Sequence, residues 1–343
     1  MATFNPFASD AFSLVNMTEA INLIPNQYGK INQMGLFREI GISSTVALIE
    51  RRNGSLNLIP STQWGGPPAV NTSGKRDIVA VPVPHIPVVD VVLPSDVQGV
   101  RAFGTESQLE TVANLVAQKQ EDMSGKLDIT LEYLRMGALK GIVVDGDGTT
   151  VLVNLFTTFG VTQQVINFQL SSSTLDVKMS VQGVSRYFED NLNGEIMSEV
   201  LVLCSGGFWD SLTSHPNVIA AYQYWVNQNN NTNLMRDDLR MAGFVYQGVR
   251  FVEYRGKASL PGSGGTVNFV PPNEAIAIPF GTRDMFRTYF APANFNETVN
   301  TIGLKKYSKK SEREMGQGWS LWSESNPLAI TTRPDLLVKI TKS

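Results

Sequence analysis

The residues able to do chemistry are few and badly placed for it. There are two histidines, His85 and His215, each beside proline in the strings PHIP and SHPN. Neither has a second metal-ligand residue at usable spacing. His215, just before Pro216, reads as a helix-entry residue. Ser205, Gly206 and Gly207 follow an apolar run and precede a helical pattern, the place for a nucleophile elbow or a phosphate loop. The GxSxG frame is missing, and so is the Lys-Ser/Thr pair of a P-loop. As a strand-to-helix turn the triplet needs no function. A hydrolase using Ser205 stays open as an alternative, because triads are assembled in space.

Asp145, Gly146, Asp147 and Gly148 suggest a calcium loop. That loop asks for Gly at position six and Glu at position twelve, where this chain has Thr150 and Phe156. A hairpin turn is the expectation, and no metal or other cofactor is expected. Lys305, Lys306, Lys309, Lys310 and Arg313 form the densest basic cluster. Interleaved with Glu312 and Glu314, it reads as a solvated face rather than a contact for nucleic acid or an acidic neighbour. Glu121-Asp122 and Asp237-Asp238 are adjacent pairs that do not face one another on a helix. The single cysteine, Cys204, lies in an apolar run and reads as a buried thiol of a reducing compartment.

The elements that would position these residues are organised around residues 105–140. Leu109, Val112, Ala113, Val116, Met123, Leu127, Leu131, Leu134 and Ala138 recur at helical spacing, interrupted at Lys119 and Gln120. This predicts one long spine helix, capped at Thr105, with charge on its outer face and a bend at Gly125. Before it, residues 1–40 read as an arm whose Phe4, Phe7 and Phe12 need a surface to lie on. TVALIERR and SLNLIP flank Asn53 and Gly54, a hairpin signal. Residues 78–93, interrupted by prolines, read as extended.

After the spine, GIVVDGDGTTVLVNLF reads as a hairpin. Residues 173–193 read as a helix with Val177, Val181, Val184 and Phe188 on its face. Residues 199–204 read as a buried strand, 208–214 and 216–227 as helical pieces, 243–254 as a third hairpin, and 275–279 as a buried run. Residues 319–340 are extended and apolar. The pattern is α+β, without a βαβ repeat. Net charge is −3, too little positive charge for general nucleic-acid binding. No signal peptide and no membrane span are expected. Read from the residues alone, this is an α+β protein with extended arms and no visible active site, suited to assembly.

The C-terminal half resembles something specific. Phe290-Ala291-Pro292-Ala293, Glu297-Thr298-Val299-Asn300-Thr301, Ser325-Asn326-Pro327-Leu328 and Arg333-Pro334-Asp335-Leu336-Leu337-Val338 are similar to the end of the major capsid protein of lambda-like tailed phages, the capsid E family. The Asp145–Thr149 turn after the spine helix and the total length are similar too. The resemblance implies the Hong Kong 97-type capsid fold: an N-terminal arm (1–40), an E-loop (41–84), a peripheral domain with the spine helix (85–194), an axial domain (195–318) and a closing strand (319–343).

It also implies hexamers and pentamers of this chain tiling an icosahedral procapsid. Implied partners are a separate scaffold protein, a small decoration protein, a portal at one vertex, and double-stranded DNA packaged without sequence-specific contact. Implied locations are the virion and, during assembly, the host cytoplasm. No membrane is involved and no enzyme activity is expected. On the E-loop, Arg51, Arg52, Trp64, Lys75 and Arg76 are the expected inter-subunit contacts. Some relatives of the fold cross-link through lysine and asparagine. Lys75 lies near the loop end, but no motif for its partner is visible, and that chemistry is not carried over. An encapsulin-type compartment shell is the nearest alternative.

Overall fold

The computed structural model describes residues 13–24, 29–52, 76–97, 112–172, 176–193, 195–221, 243–262 and 264–343. In chain order the elements begin with α1 (Leu14–Leu23), α2 (Lys30–Met34), β1 (Arg38–Gly41), β2 (Val46–Arg52), β3 (Arg76–Pro82), β4 (Ile86–Val92), α3 (Pro94–Val97) and α4 (Val112–Lys140). There follow β5 (Ile142–Val144), β6 (Val151–Asn154), α5 (Leu155–Phe159), β7 (Gln164–Asn167), α6 (Val177–Asn191), β8 (Glu199–Cys204) and α7 (Gly206–Thr213). After a helical turn that starts at Pro216, the remaining strands are β9 (Phe244–Tyr246), β10 (Val249–Glu253), β11 (Lys257–Ser259), β12 (Thr266–Asn268), β13 (Glu274–Phe280), β14 (Phe286–Phe290), β15 (Tyr307–Glu312), β16 (Trp319–Ser325), β17 (Pro327–Thr331) and β18 (Val338–Thr341).

The chain divides into two compact units, each drawn from three segments. One comprises Met1–Ala47, Val81–Leu134 and Thr288–Ala329; the other comprises Leu48–Ala80, Arg135–Arg287 and Ile330–Ser343.

In the first unit, β15, β16 and β4 form an antiparallel sheet, with Tyr307 opposite Glu324 and Trp319 opposite Val92. Alternation along β4 sends Val92 inward and leaves Val89 exposed, the period-two pattern of a half-buried strand. Ser13 caps α1, accepting from the Asn16 amide at 3.3 Å. The buried residues of α1, Met17, Thr18 and Ile21, are spaced for one helical face, and α1 lies on β15. Met17, Val92, Val116, Met123 and Leu321 close a shared apolar core. Each contributes about 2 kcal/mol through burial.

In the second unit the mixed sheet runs β7-β18-β13-β8-β10-β9. β8 is apolar throughout from Val200 to Cys204 and wholly buried, as a central strand covered on both faces must be. It pairs parallel with β10 and antiparallel with β13. α7 packs on β10 and β13, and α6 on β7. Phe168 and Phe208 meet with ring centroids 5.7 Å apart. The face of α6 is buried at Val177, Val181, Val184 and Phe188, with Asp176 as its cap, as the spacing predicts.

Several expectations need correction. The spine helix runs Val112–Lys140; its expected start at Thr105, with Leu109, lies outside the described residues. Ala113, placed in the core stripe, is exposed. β2 pairs with β3, whereas the expected partner, the run after Asn53 and Gly54, lies outside the described residues. β5 and β6 form the expected hairpin, with a bulge at Val143/Val144. The strand expected to continue through Phe156 ends at Asn154, whose side chain accepts from the Phe156 and Thr157 amides and starts α5. Phe4, Phe7 and Phe12 lie outside the described residues.

Candidate functional site

Among the described residues the histidines make structural contacts. His215 is buried; its Nε2 lies 3.1 Å from the Ser172 carbonyl and its Nδ1 accepts the Asn217 amide at 3.3 Å. Both ring nitrogens are thus occupied, Nδ1 at the start of the helix at Pro216 and Nε2 on the Ser172 carbonyl, so His215 is not a base for Ser205. His85 Nδ1 lies 3.1 Å from Asn326 Oδ1. That oxygen also accepts the Ile86 amide, so the ring proton belongs on Nδ1. Cys204 is fully buried, and loss of solvent holds its thiol well above the usual range. Among the described residues no cluster of His, Cys, Asp and Glu can hold a metal, and no helix is long and apolar enough to cross a membrane. Asp147 accepts from Thr149 and Thr150, backbone and side chain. It closes the turn through its own neighbours, and those bonds hold its carboxyl far below the usual range.

What the first unit holds instead is a buried polar seam. Gln120, Ser124, Asp128 and Glu132 lie four apart on α4, and each is at most 6% exposed. Gln120 Nε2 donates to Ser308 Oγ at 3.0 Å. Ser308 and Thr18 exchange bonds, the Thr18 hydroxyl donating to the Ser308 carbonyl and accepting its amide. Lys306 donates to Ser124 Oγ at 2.6 Å and stands 2.8 Å from Asp128 Oδ1. At that separation the ammonium and the carboxylate form a close, charge-assisted pair. Glu132 accepts the Ile31 and Asn32 amides at 2.8 and 3.0 Å. These are orphan donors of the first turn of α2. The seam thereby ties α1 and α2, the arm, to α4 and β15.

This corrects two expectations. The charge on α4 is not all on its outer face. The basic cluster is not a solvated face either. Lys306 is buried; Lys305 pairs with Glu39 at 3.3 Å, Lys309 with Glu297 at 2.6 Å, and Lys310 lies 4.6 Å over the Trp319 ring. The missed signal was the four-residue polar period itself, which fills the interruption at Lys119 and Gln120.

The C-terminal motifs form two further polar knots. Glu324, wholly buried, accepts the Asn294 amide at 2.7 Å, Trp322 Nε1 at 3.0 Å and Asn326 Nδ2 at 3.1 Å. Thr298 Oγ1 donates to the Ala293 carbonyl at 2.6 Å. In the second unit Arg333 donates to the Asn191 and Leu192 carbonyls, covering the C-terminus of α6, where a cation suits the helix dipole. The Tyr187 hydroxyl donates to the Asp335 carbonyl at 2.8 Å.

Of the expected contact residues, Arg51 and Arg52 end β2 and Arg76 opens β3, so the paired strands bring them to one end of a ribbon. Trp64 and Lys75 lie outside the described residues. On β2, Ala47 and Ile49 are buried, whereas Val46 is 38% and Leu48 is 65% exposed; on β3, Ile78 is 62% exposed. Val46, Leu48 and Ile78 are thus apolar side chains left exposed on the ribbon of the single chain.

The phage major capsid protein E family model matches residues 13–342. The major capsid protein of Pseudomonas phage KPP10 is 30% identical over 347 residues, covering 97% of this chain and 98% of that one. The major capsid protein of Salmonella phage Felix O1 is 29% identical over 356 residues, covering 96% of each. Among solved structures, a phage-related protein of Bordetella bronchiseptica RB50 superposes with a TM-score of 0.51 at 10% identity, over 95% of each chain. The capsid asymmetric unit of Cyanophage A-1(L) superposes with a TM-score of 0.50 at 12% identity, over 93% of this chain and 94% of that one.

Proposed function

From the premise that this chain belongs to the phage major capsid protein E family and has the Hong Kong 97-type fold, we propose that its copies form the shell of a tailed phage as hexamers and pentamers. The family match over residues 13–342 carries the reading. The proposed role is structural rather than enzymatic, with His85 and His215 both spent on local contacts.

In this reading residues 1–40 are the arm, 41–84 the E-loop, 85–194 the peripheral domain, 195–318 the axial domain and 319–343 the closing segment. The E-loop is the β2–β3 ribbon with its connection. Its uncovered Leu48 and Ile78 gain burial on a neighbouring copy, and small energies per contact add across a closed shell. Arg51, Arg52, Trp64, Lys75 and Arg76 are its proposed contact residues. A separate scaffold, a decoration protein and a portal at one vertex complete the particle, which assembles in the host cytoplasm. The net charge of −3 suits a wall that holds packaged DNA without gripping it.

The test is co-expression with the scaffold, followed by light scattering and negative-stain microscopy. Closed shells tens of nanometres across are expected. A stable monomer or small ring in the presence of its own scaffold overturns the reading.

A further inference from the structure

A cavity of about 280 Å³ opens in the second unit, where β8 turns into α7. Its wall includes Ser205, Gly206 and Gly207 from that turn, Arg255 and Lys257 after β10, and Asn268 at the end of β12. A helix N-terminus leaves its first amides without intrahelical acceptors, and the aligned peptide dipoles place partial positive charge there. α7 is eight residues long, and Ser205 at its N-cap makes no side-chain capping bond. A capping serine ordinarily turns its hydroxyl to the N2 or N3 amide. Here the residue is 5% exposed and its Oγ has no hydrogen-bond partner among the described residues. A buried hydroxyl left in that state costs free energy, about 1–3 kcal/mol, unless something occupies the cavity it lines.

The remaining wall has the matching charge. Lys257 is exposed and has no ion-pair partner among the described residues. Arg255 is largely exposed, with its Nε 3.8 Å from Glu253 Oε1. Two cations therefore stand against one carboxylate. A Cβ on Gly207 would come within 2.6 Å of Asn273 Oδ1 and one on Gly206 within 3.4 Å of Glu253 Oε1, so only bare backbone fits at this turn.

We propose that this cavity is a binding site for a phosphate-class oxyanion. The ion would take the first amides of α7, the Ser205 hydroxyl, and the charges of Arg255 and Lys257. A tetrahedral oxyanion has acceptor lone pairs enough for all of these donors at once, and charge-assisted bonds are the strong ones. The serine acts as a donor, not a nucleophile, because His215 is committed to Ser172 and Asn217. The site does not depend on the shell assignment.

The experiment is a titration of the full chain with inorganic phosphate, followed by phosphorus NMR and calorimetry, with ionic strength held constant by chloride. One saturable equivalent per chain is expected in the millimolar range or tighter. Arg255→Ala with Lys257→Ala should weaken it about tenfold, and Ser205→Ala several-fold, while Lys342→Ala leaves it unchanged. Should Ser205→Ala not fold, the exposed Lys257 and Arg255 carry the test. Dimethyl phosphate is the second arm. Weaker binding than the inorganic ion assigns the site to free phosphate; equal or tighter binding assigns it to a nucleic-acid backbone. Absence of saturation, or an affinity indifferent to the variants, overturns the proposal.

Discussion

Lys306 Nζ stands 2.8 Å from Asp128 Oδ1, with the two side chains only 4% and 2% exposed. The pair joins the residue before β15 to α4 across a gap in sequence that local patterning cannot see. Both charges have left water, so the pair adds little net stability over an apolar substitute, yet neither charge tolerates losing the other. Asp128→Ala or Lys306→Ala should therefore cost about 3–5 kcal/mol in chemical denaturation. The double replacement Asp128→Leu with Lys306→Met should cost far less than the sum. Additive losses would mean that the two groups do not act as a pair.

The same lysine gives a pH dependence. Burial, the larger influence, pulls its ammonium below the ordinary 10.5, and Asp128 opposes the pull. Between the folded value and 10.5 the unfolded chain holds more protons than the folded one, so stability contributed at this site rises with pH in that window. The unfolding free energy of the native chain minus that of the Asp128→Leu, Lys306→Met variant should climb as pH approaches 10.5. A flat difference contradicts a buried ammonium.

Glu132 holds the arm. Its carboxylate takes the Ile31 and Asn32 amides, so Glu132→Ala should speed hydrogen exchange of those amides. Gly29→Ala should do the same, because φ is 101° there and a Cβ would stand 2.4 Å from the Glu132 carboxyl carbon. Unchanged exchange in both variants would remove Glu132 from this role.

The ribbon of β2 and β3 is expected to act between copies. Leu48→Asp with Ile78→Asp, and separately Arg51→Glu with Arg76→Glu, should lower shell yield several-fold while leaving the melting temperature of the unassembled chain within a few degrees. Normal shell yield in the arginine pair would show that those residues are not contacts.

Cys204 offers a simple check on the second unit. Wholly buried and held as a thiol, it should resist a thiol reagent at neutral pH in the native chain and react after denaturation. Rapid labelling of native protein would contradict the packing of β8.

Much of the fold could be read where contacts are local or patterns are apolar. The α6 face, the all-apolar β8 and the hairpins around Asp145 and Gln247 follow from spacing and turn residues. The polar seam could not be read that way. Gln120, Ser124, Asp128 and Glu132 look like an outer face until Ser308, Lys306 and Ile31 are brought against them, and no short-range rule does that. The lysine run misled for the same reason: each of Lys305, Lys306 and Lys309 meets its acidic partner only in three dimensions. The family motifs were recognisable as strings, but their work is physical. Arg333 closes α6, and Glu324 with Asn326 satisfies turns that would otherwise bury bare amides.

The threading of the chain through its two units has a consequence for its synthesis. β18 lies inside the six-stranded sheet, between β7 and β13, and β16 is the middle strand of the other unit's sheet. Each follows in sequence every other strand of its sheet. Without residues 338–341 the larger sheet has a slot between β7 and β13, and the second unit cannot close. A prematurely terminated chain thus arrives with open strand edges instead of finished surfaces. Losing one strand near Trp322 or Ile340 is therefore a defect of a whole sheet rather than of one edge.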